Sequence, residues 1–171
     1  MHAYPTSDRL SDIYIPREEK NAAHVLHVGQ AGRQGSILHT ILADIKSLAE
    51  LPSYLDSLLL EGAIMEDEKT FFLQEATRVL QHEQLNELLS KAEQHFSERS
   101  IVSADGHVYR PDKILIQDNF VAVIDYKFTF QEHPEHLDQV CIYMDLLGKM
   151  GYKDVEGYLF YATTNTLKPV I

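Results

Sequence analysis

The sequence predicts a mixed α/β domain, with a mixed central sheet flanked by helices and a helical region ahead of it. Three observations predict this. Apolar residues recur at helical spacing from Ser36 onward, β-rich runs crowd residues 99–127, and a proline-opened helical pattern then leads into one more apolar run. At 171 residues, 44% hydrophobic and 24% charged, the chain is long enough to bury a core and ordinary for a soluble globular domain.

Taken in order, residues 1–34 read as an N-terminal arm or linker. Pro5, Pro16, Gly29, Gly32 and the adjoining Gly35 interrupt it, leaving only the apolar pieces Ile13-Tyr14-Ile15 and Val25-Leu26. The domain proper is expected over residues 35–171. Ser36 is a natural N-cap for a helix whose stripe is Ile37, Leu38, Ile41, Leu42, Ile45 and Leu48. Further helices are expected across Leu55–Gly62, Lys69–Leu80 and His82–Phe96, so that residues 52–96 form a helical insertion. Three antiparallel strands follow, Arg99–Ser103, Val108–Ile116 and Phe120–Lys127, with turns at Asp105-Gly106 and Asp118-Asn119. Pro134 opens a helix to about Met150 whose core face is Leu137, Val140, Cys141, Met144 and Leu147. Val155–Tyr161 reads as a further strand and residues 163–171 as a tail.

Composition narrows the function. No apolar run approaches the roughly 18 residues of a membrane span, and the N-terminus lacks a signal pattern, so no membrane association is expected. The single cysteine, Cys141, excludes an internal disulfide and a thiolate zinc cluster, and a reducing cytoplasmic location is the simplest reading. The formal net charge of −11 opposes autonomous nucleic-acid binding, because phosphate neutralisation by basic residues supplies most of such affinity. A nucleic-acid protein of this charge would need affinity from an attached or partner module.

The hairpin over Tyr109–Lys127 carries the chemistry. With Asp118 and Asn119 as the central turn residues, Asp112 faces Asp125, and like charges opposed in a sheet are destabilising unless a cation sits between them. Phe120–Ile124 is a continuous apolar run, so Asp125 ends a strand covered on both faces, where an unpaired carboxylate is costly. Lys127 returns to the face of Asp125. Oxygen ligands such as these suit Mg²⁺ or Mn²⁺, with the main-chain carbonyl of Tyr126 as a further oxygen. Such an ion polarises a phosphate and acidifies a bound water, while Lys127 neutralises developing charge. The alternative reading is a surface hairpin in which the two aspartates pair with Arg110, Lys113 or Lys127.

Arg110-Pro111-Asp112, followed by Asp125-Tyr126-Lys127, closely resembles the PD-(D/E)xK nuclease signature, in its RecB-like branch. That branch includes the C-terminal nuclease domains of AddA- and RecB-type helicase–nucleases. Gly35-Ser36-Ile37-Leu38-His39 resembles the branch's Gly-x-x-x-His helix start, which implies His39 as an additional metal ligand. Gln139-Val140-Cys141-Ile142-Tyr143 resembles its Gln-x-x-x-Tyr motif, which implies that Gln139 and Tyr143 orient substrate and site. Glu98 sits where many members carry an acidic residue. A simple register across Asp105-Gly106 nevertheless places it opposite Lys113, away from Asp112, unless a bulge near Pro111 corrects this. The resemblance implies a restriction-endonuclease-like core and a Mg²⁺- or Mn²⁺-dependent DNA exonuclease.

Departures shape the expectation. Phe128-Thr129-Phe130 replaces the small residues that often follow the lysine, and no Gly-x-x-x-x-Gly-Lys-Ser/Thr loop occurs, so the helicase motor is absent. The expected partners are therefore DNA and a helicase, in the same parent chain or as a partner subunit, in double-strand break repair and recombination. The competing expectation is a catalytically inactive nuclease-fold module that binds DNA or acts as a scaffold. His24-x-x-His27 and His133-Pro134-Glu135-His136 read as solvated histidines, and Glu61–Glu68 as a solvated loop or helix face.

Overall fold

The computed structural model describes residues 22–171, with side chains from Gly32 onward. The chain divides into two compact units at Arg33 and Gln34, and the second unit, Gln34–Ile171, carries the features below. The readings placed on residues 1–21, and on the side chains of His24, Val25, Leu26 and His27, lie outside the described residues.

Helix α1 spans Ala22–Asp44, which corrects the expected start at Ser36. Gly29, Gly32 and Gly35 lie within it, because a helical glycine costs about 1 kcal/mol without forbidding the helix. Ser36 is interior, its carbonyl accepting from the Thr40 hydroxyl at 3.2 Å. A 3-10 turn (Leu48–Glu50) leads into α2 (Leu51–Leu60), where Pro52 fits the first turn because no helical N–H is needed there. Gly62 then takes a φ of +71°, a left-handed value that ends the helix cheaply. Helix α3 (Glu66–Leu80) opens on an acidic turn suited to the helix dipole, and Glu68 accepts from the Met65 N–H at 2.9 Å. Helix α4 spans Glu83–Lys91.

The expected helix His82–Phe96 is too long. Its last residues form strand β1 (Gln94–Ser97), since Ala92 turns to extended backbone. Strands β2 (Ile101–Val102) and β3 (Val108–Tyr109) make a small separate hairpin, so Arg99–Ser103 is not a strand of the main sheet. The predicted strand Val108–Ile116 is split at Arg110-Pro111-Asp112, where proline supplies no ladder donor, and resumes as β4 (Lys113–Gln117). Strand β5 (Phe120–Lys127), helix α5 (Pro134–Lys149) and strand β6 (Asp154–Tyr161) match the expected order. Residues 163–171 are not a plain tail: Thr166–Val170 forms edge strand β7, where Pro169 is tolerated.

The result is a mixed α/β fold with a five-stranded mixed sheet ordered β1-β4-β5-β6-β7. Strands β5 and β6 are parallel and the other neighbours antiparallel. The β4–β5 register pairs Lys113 with Ile124 and Gln117 with Phe120, as the Asp118-Asn119 turn predicts, with Asp118 at φ +50°. Alternation along β5 sorts the core. Ala122, Ile124 and Tyr126 pack with α1–α4, through Ile41, Ile45, Leu55, Phe72 and Leu80. Val121 and Val123 pack on the opposite side with Val140, Tyr143 and Leu147 of α5. The face of α5 is therefore rotated from the expected one. Tyr143 and Leu146 are buried, whereas Leu137 and Cys141 are exposed.

Gly157 of β6 permits the approach of α5, since a Cβ there would lie 2.5 Å from both Met144 Sδ and Val140 Cγ1. Gly157→Ala is expected to lower stability by about 1–3 kcal/mol through overpacking, measured by urea denaturation. An unchanged midpoint would refute this close packing.

Candidate active site

Chain reversal at Asp118-Asn119 brings the start of β4 and the end of β5 to one end of the sheet, where α5 begins soon after. Among the described residues, the buried polar or charged side chains are Asp112 (7% exposed), Lys113 (0%) and Asp125 (2%). Asp112 and Lys113 are adjacent, so they leave the chain towards opposite faces. Lys113 donates to the Ile45 carbonyl beyond the end of α1, and burial pushes its pKa down to about 8. Asp125 shares the α5 side of β5 with Val123.

Asp112 is held by two donors. The Tyr126 N–H donates to its Oδ2 at 2.7 Å, and His39 Nε2 lies 2.9 Å from the same oxygen. His39 comes from α1 and is half-buried, its ring edge-on to Phe128 at 6.3 Å. Its pKa is raised, chiefly by the bond to Asp112, with burial opposing. On its other side, His39 Nδ1 lies 3.9 Å from Glu98 Oε1.

Glu98 therefore reaches the site, which corrects the register drawn across Asp105-Gly106. The β2–β3 turn contains one residue more than a two-residue hairpin, so Ile101 pairs with Tyr109 and Ser97 with Lys113. This one-residue slip brings the Glu98 N–H to the Asp112 carbonyl at 3.0 Å, with no bulge at Pro111 required. Glu98 itself sits at φ +45°, uncommon for a side chain of its kind.

Asp125 is coupled to a second network. Lys127 Nζ lies 2.7 Å from Asp125 Oδ2, but off the hydrogen-bonding direction, so that buried oxygen has a charge neighbour and no aligned donor. Lys127 also donates to Gln139 Oε1 at 2.8 Å, and Gln139 Nε2 donates to Tyr143 Oη at 2.6 Å. The Tyr143 hydroxyl points on to the Arg110 carbonyl at 3.4 Å. Burial raises the Tyr143 pKa and keeps the phenol neutral. Burial, reinforced by the charge of Asp112, pushes the pKa of Asp125 up to about 6, against the opposing pull of Lys127 and His39.

The residues expected at the site thus fall into two chains, Glu98–His39–Asp112–Tyr126 and Asp125–Lys127–Gln139–Tyr143, with Tyr126 joined through its N–H rather than the expected carbonyl. Lys113 is excluded from the acid pair by facing the other way. For Tyr126 it is the amide that engages the site, while its phenol lies in the helical core, 6.0 Å from Phe160. Sequence reasoning missed two anchors. Lys113 to Ile45, and Ser97 Oγ to the Ala43 carbonyl at 2.6 Å, tie the end of α1 to β4 and β1. A lysine opening the apolar run Lys113-Ile114-Leu115-Ile116 was the available signal.

The donor set can be tested against a metal ion. Among the described residues, no three His, Cys, Asp or Glu side chains are gathered so as to hold one unaided. A hard dication that retains several waters needs only one or two carboxylates. Asp112 and Asp125, one with an orphaned buried oxygen, fit that demand, with His39 adjacent. His133 and His136, at the start of α5, do not form such a set: their rings stack edge-on at 5.3 Å, and His136 Nδ1 is 3.2 Å from Tyr161 Oη.

The pH consequence follows from Asp125. An unfolded aspartate titrates near ~3.9, so between about pH 4 and 6 the native state binds a proton that the unfolded chain has lost. The contribution of Asp125 to stability is therefore greatest below this window and is lost as pH rises through about 6. Asp125→Asn is expected to stabilise the protein at pH 7 by roughly 1–3 kcal/mol and to remove this slope, in urea melts across pH 4–8. A variant no more stable than the parent at pH 7 would contradict the electrostatic assignment. Neither a family model nor a curated protein matches this chain.

Proposed function

We propose that residues 34–171 form a RecB-like nuclease core of the PD-(D/E)xK type, hydrolysing phosphodiester bonds in DNA with Mg²⁺ or Mn²⁺. The observation that carries this reading is the meeting of Asp112, Asp125 and Lys127 at one sheet end, with Lys127 held by Gln139 and Tyr143. The sheet order and the β5-α5-β6 connection support a restriction-endonuclease-like core. Asp112 and Asp125 would hold the ion, with His39 and the Tyr126 carbonyl as further candidates, and Glu98 behind His39.

An ion held there would supply positive charge at the scissile phosphate and acidify a bound water. The chain's own residues supply position. Lys127, fixed between Asp125 and Gln139, places its ammonium where negative charge develops on a phosphoryl oxygen. Tyr143 fixes Gln139 and thereby the lysine. Tyr126 N–H and His39 hold the Asp112 carboxylate in one orientation, which limits the entropy lost as substrate is bound. Among the described residues no helix is long and apolar enough to cross a membrane. The acidic charge favours a domain that receives DNA from a helicase, within the same parent chain or as a separate subunit, during double-strand break repair in the cytoplasm.

The test is cleavage of labelled single- and double-stranded DNA with Mg²⁺ or Mn²⁺. Asp125→Ala is expected to reduce cleavage to background while circular dichroism shows the fold intact. Lys127→Met is expected to cost about 10²–10³-fold. Undiminished cleavage by Asp125→Ala would defeat the assignment. A wild-type chain that binds DNA without cutting it would favour the inactive binding module.

A further inference from the structure

The helical layer is incomplete at the end of the sheet away from the acid pair. Helix α4, only nine residues long, packs there against strand β4. An open cavity of about 470 Å³ lies between this helix and the strands beyond it. Gln84, Glu87, Leu88 and Lys91, at the spacing of one helical stripe, form its α4 wall. Leu115, Phe120, Tyr158, Leu167 and Pro169 form its floor, crossing four neighbouring strands on the helical side of the sheet. Leu88, Ala92, Phe120 and Tyr158 are only partly buried against the core beneath. Among the described residues, α4 is the one helix that lines this cavity. Phe120 and Asp125 stand five residues apart on β5, about 17 Å, so the cavity and the acid pair are separate.

The rim decides what this apolar floor can take. Lys91 is engaged with Glu87 in an i,i+4 pair. Glu156 accepts from the Tyr158 hydroxyl and has no ion-pair partner among the described residues. The rim therefore keeps an uncompensated carboxylate, on a molecule of net charge −11. Ligands rich in phosphate, nucleic acid and anionic membrane alike, are repelled by such a rim, and a cationic flank is attracted. Addition of a strand is disfavoured as well, because Pro169 removes a donor from the edge strand β7. A helix laid in the groove is the recognition mode that remains. Neighbouring helices pack about 8–10 Å apart, so the space beside α4, over β6 and β7, is where the next helix of the layer would lie.

We propose that this cavity is the docking site for one amphipathic helix of a partner protein, with an apolar face and a basic flank. The helix lies beside α4 and completes the layer over β6 and β7. Its leucine-like side chains cover Phe120, Tyr158 and Leu167, and its lysines or arginines meet Glu156 and Glu87. A helix docked here lies away from the acid pair. The inference goes beyond the nuclease reading and does not require it.

The test is fluorescence anisotropy of a fluorescein-labelled model peptide of about 15 residues, with leucines on one helical face and lysines on the other. The full chain is expected to bind it saturably. Two altered peptides, with serine for leucine or glutamate for lysine, are expected to bind at least about 10-fold more weakly. Glu156→Lys is expected to weaken binding by about 5- to 50-fold. Glu61→Lys, an equal change of net charge at the end of α2, is expected to alter it by less than about 2-fold. Both positions are exposed, so circular dichroism should be unchanged. Asp125→Ala is expected to bind the peptide as the parent does. Absence of binding, equal binding of the serine peptide, or equal losses in Glu156→Lys and Glu61→Lys overturns the inference whatever the cleavage assay shows. Binding that depends on Glu156 in a chain that never cleaves DNA upholds the docking site and counts against the nuclease reading alone.

Discussion

Two aspartates buried at the same end of one sheet are the constraint on which the rest of this structure depends. Each would pay desolvation alone, and together they repel in a medium where charges are poorly screened. The fold compensates in part. Asp112 takes a backbone amide and an imidazole, and Asp125 takes the lysine ammonium. The compensation is incomplete, because one Asp125 oxygen lacks an aligned donor and its carboxyl still titrates well above the ordinary aspartate range. A site optimised for stability alone would not leave that residue of cost, since replacing buried charge by apolar groups is often neutral or stabilising. Functional sites are where such costs persist.

The surrounding elements serve that end of the sheet. Lys113 and Ser97 fasten the close of α1 to β4 and β1, which sets the distance at which His39 meets Asp112. Gly157 lets α5 lie close on β6, and α5 in turn carries Gln139 and Tyr143 to Lys127. The two hydrophobic layers therefore act on different halves of the site. The helical layer positions the imidazole, and α5 positions the lysine.

Much of this was legible in the chain, because the hairpin signal was strong and local. Two apolar runs flanking Asp118-Asn119 set the β4–β5 register, and that register placed Asp112 and Asp125 at one sheet end. The failures arose where tertiary context outweighs local pattern. The glycines before Ser36 looked like breaks, yet they lie inside α1. Strand β7 was hidden because Pro169 reads as a breaker and is harmless on an edge. Glu98 was misplaced by one residue of turn length at Ser103–His107, which is enough to exchange faces. Helix α5 was rotated because Tyr143 is buried while Cys141 is not. Polarity alone ranks those two in the reverse order, and the hydrogen bonds that the phenol makes with Gln139 and the Arg110 carbonyl offset its burial.

The account stands on a hard dication satisfying the acid pair, and direct calorimetric titration of the full chain with Mn²⁺ tests it most plainly. Saturable binding to the parent, lost in Asp112→Asn and Asp125→Asn yet kept in a surface control such as Asp67→Asn, is the predicted result. Absence of binding to the parent, or binding that survives both substitutions, would mean that the two carboxylates are held for some reason other than metal.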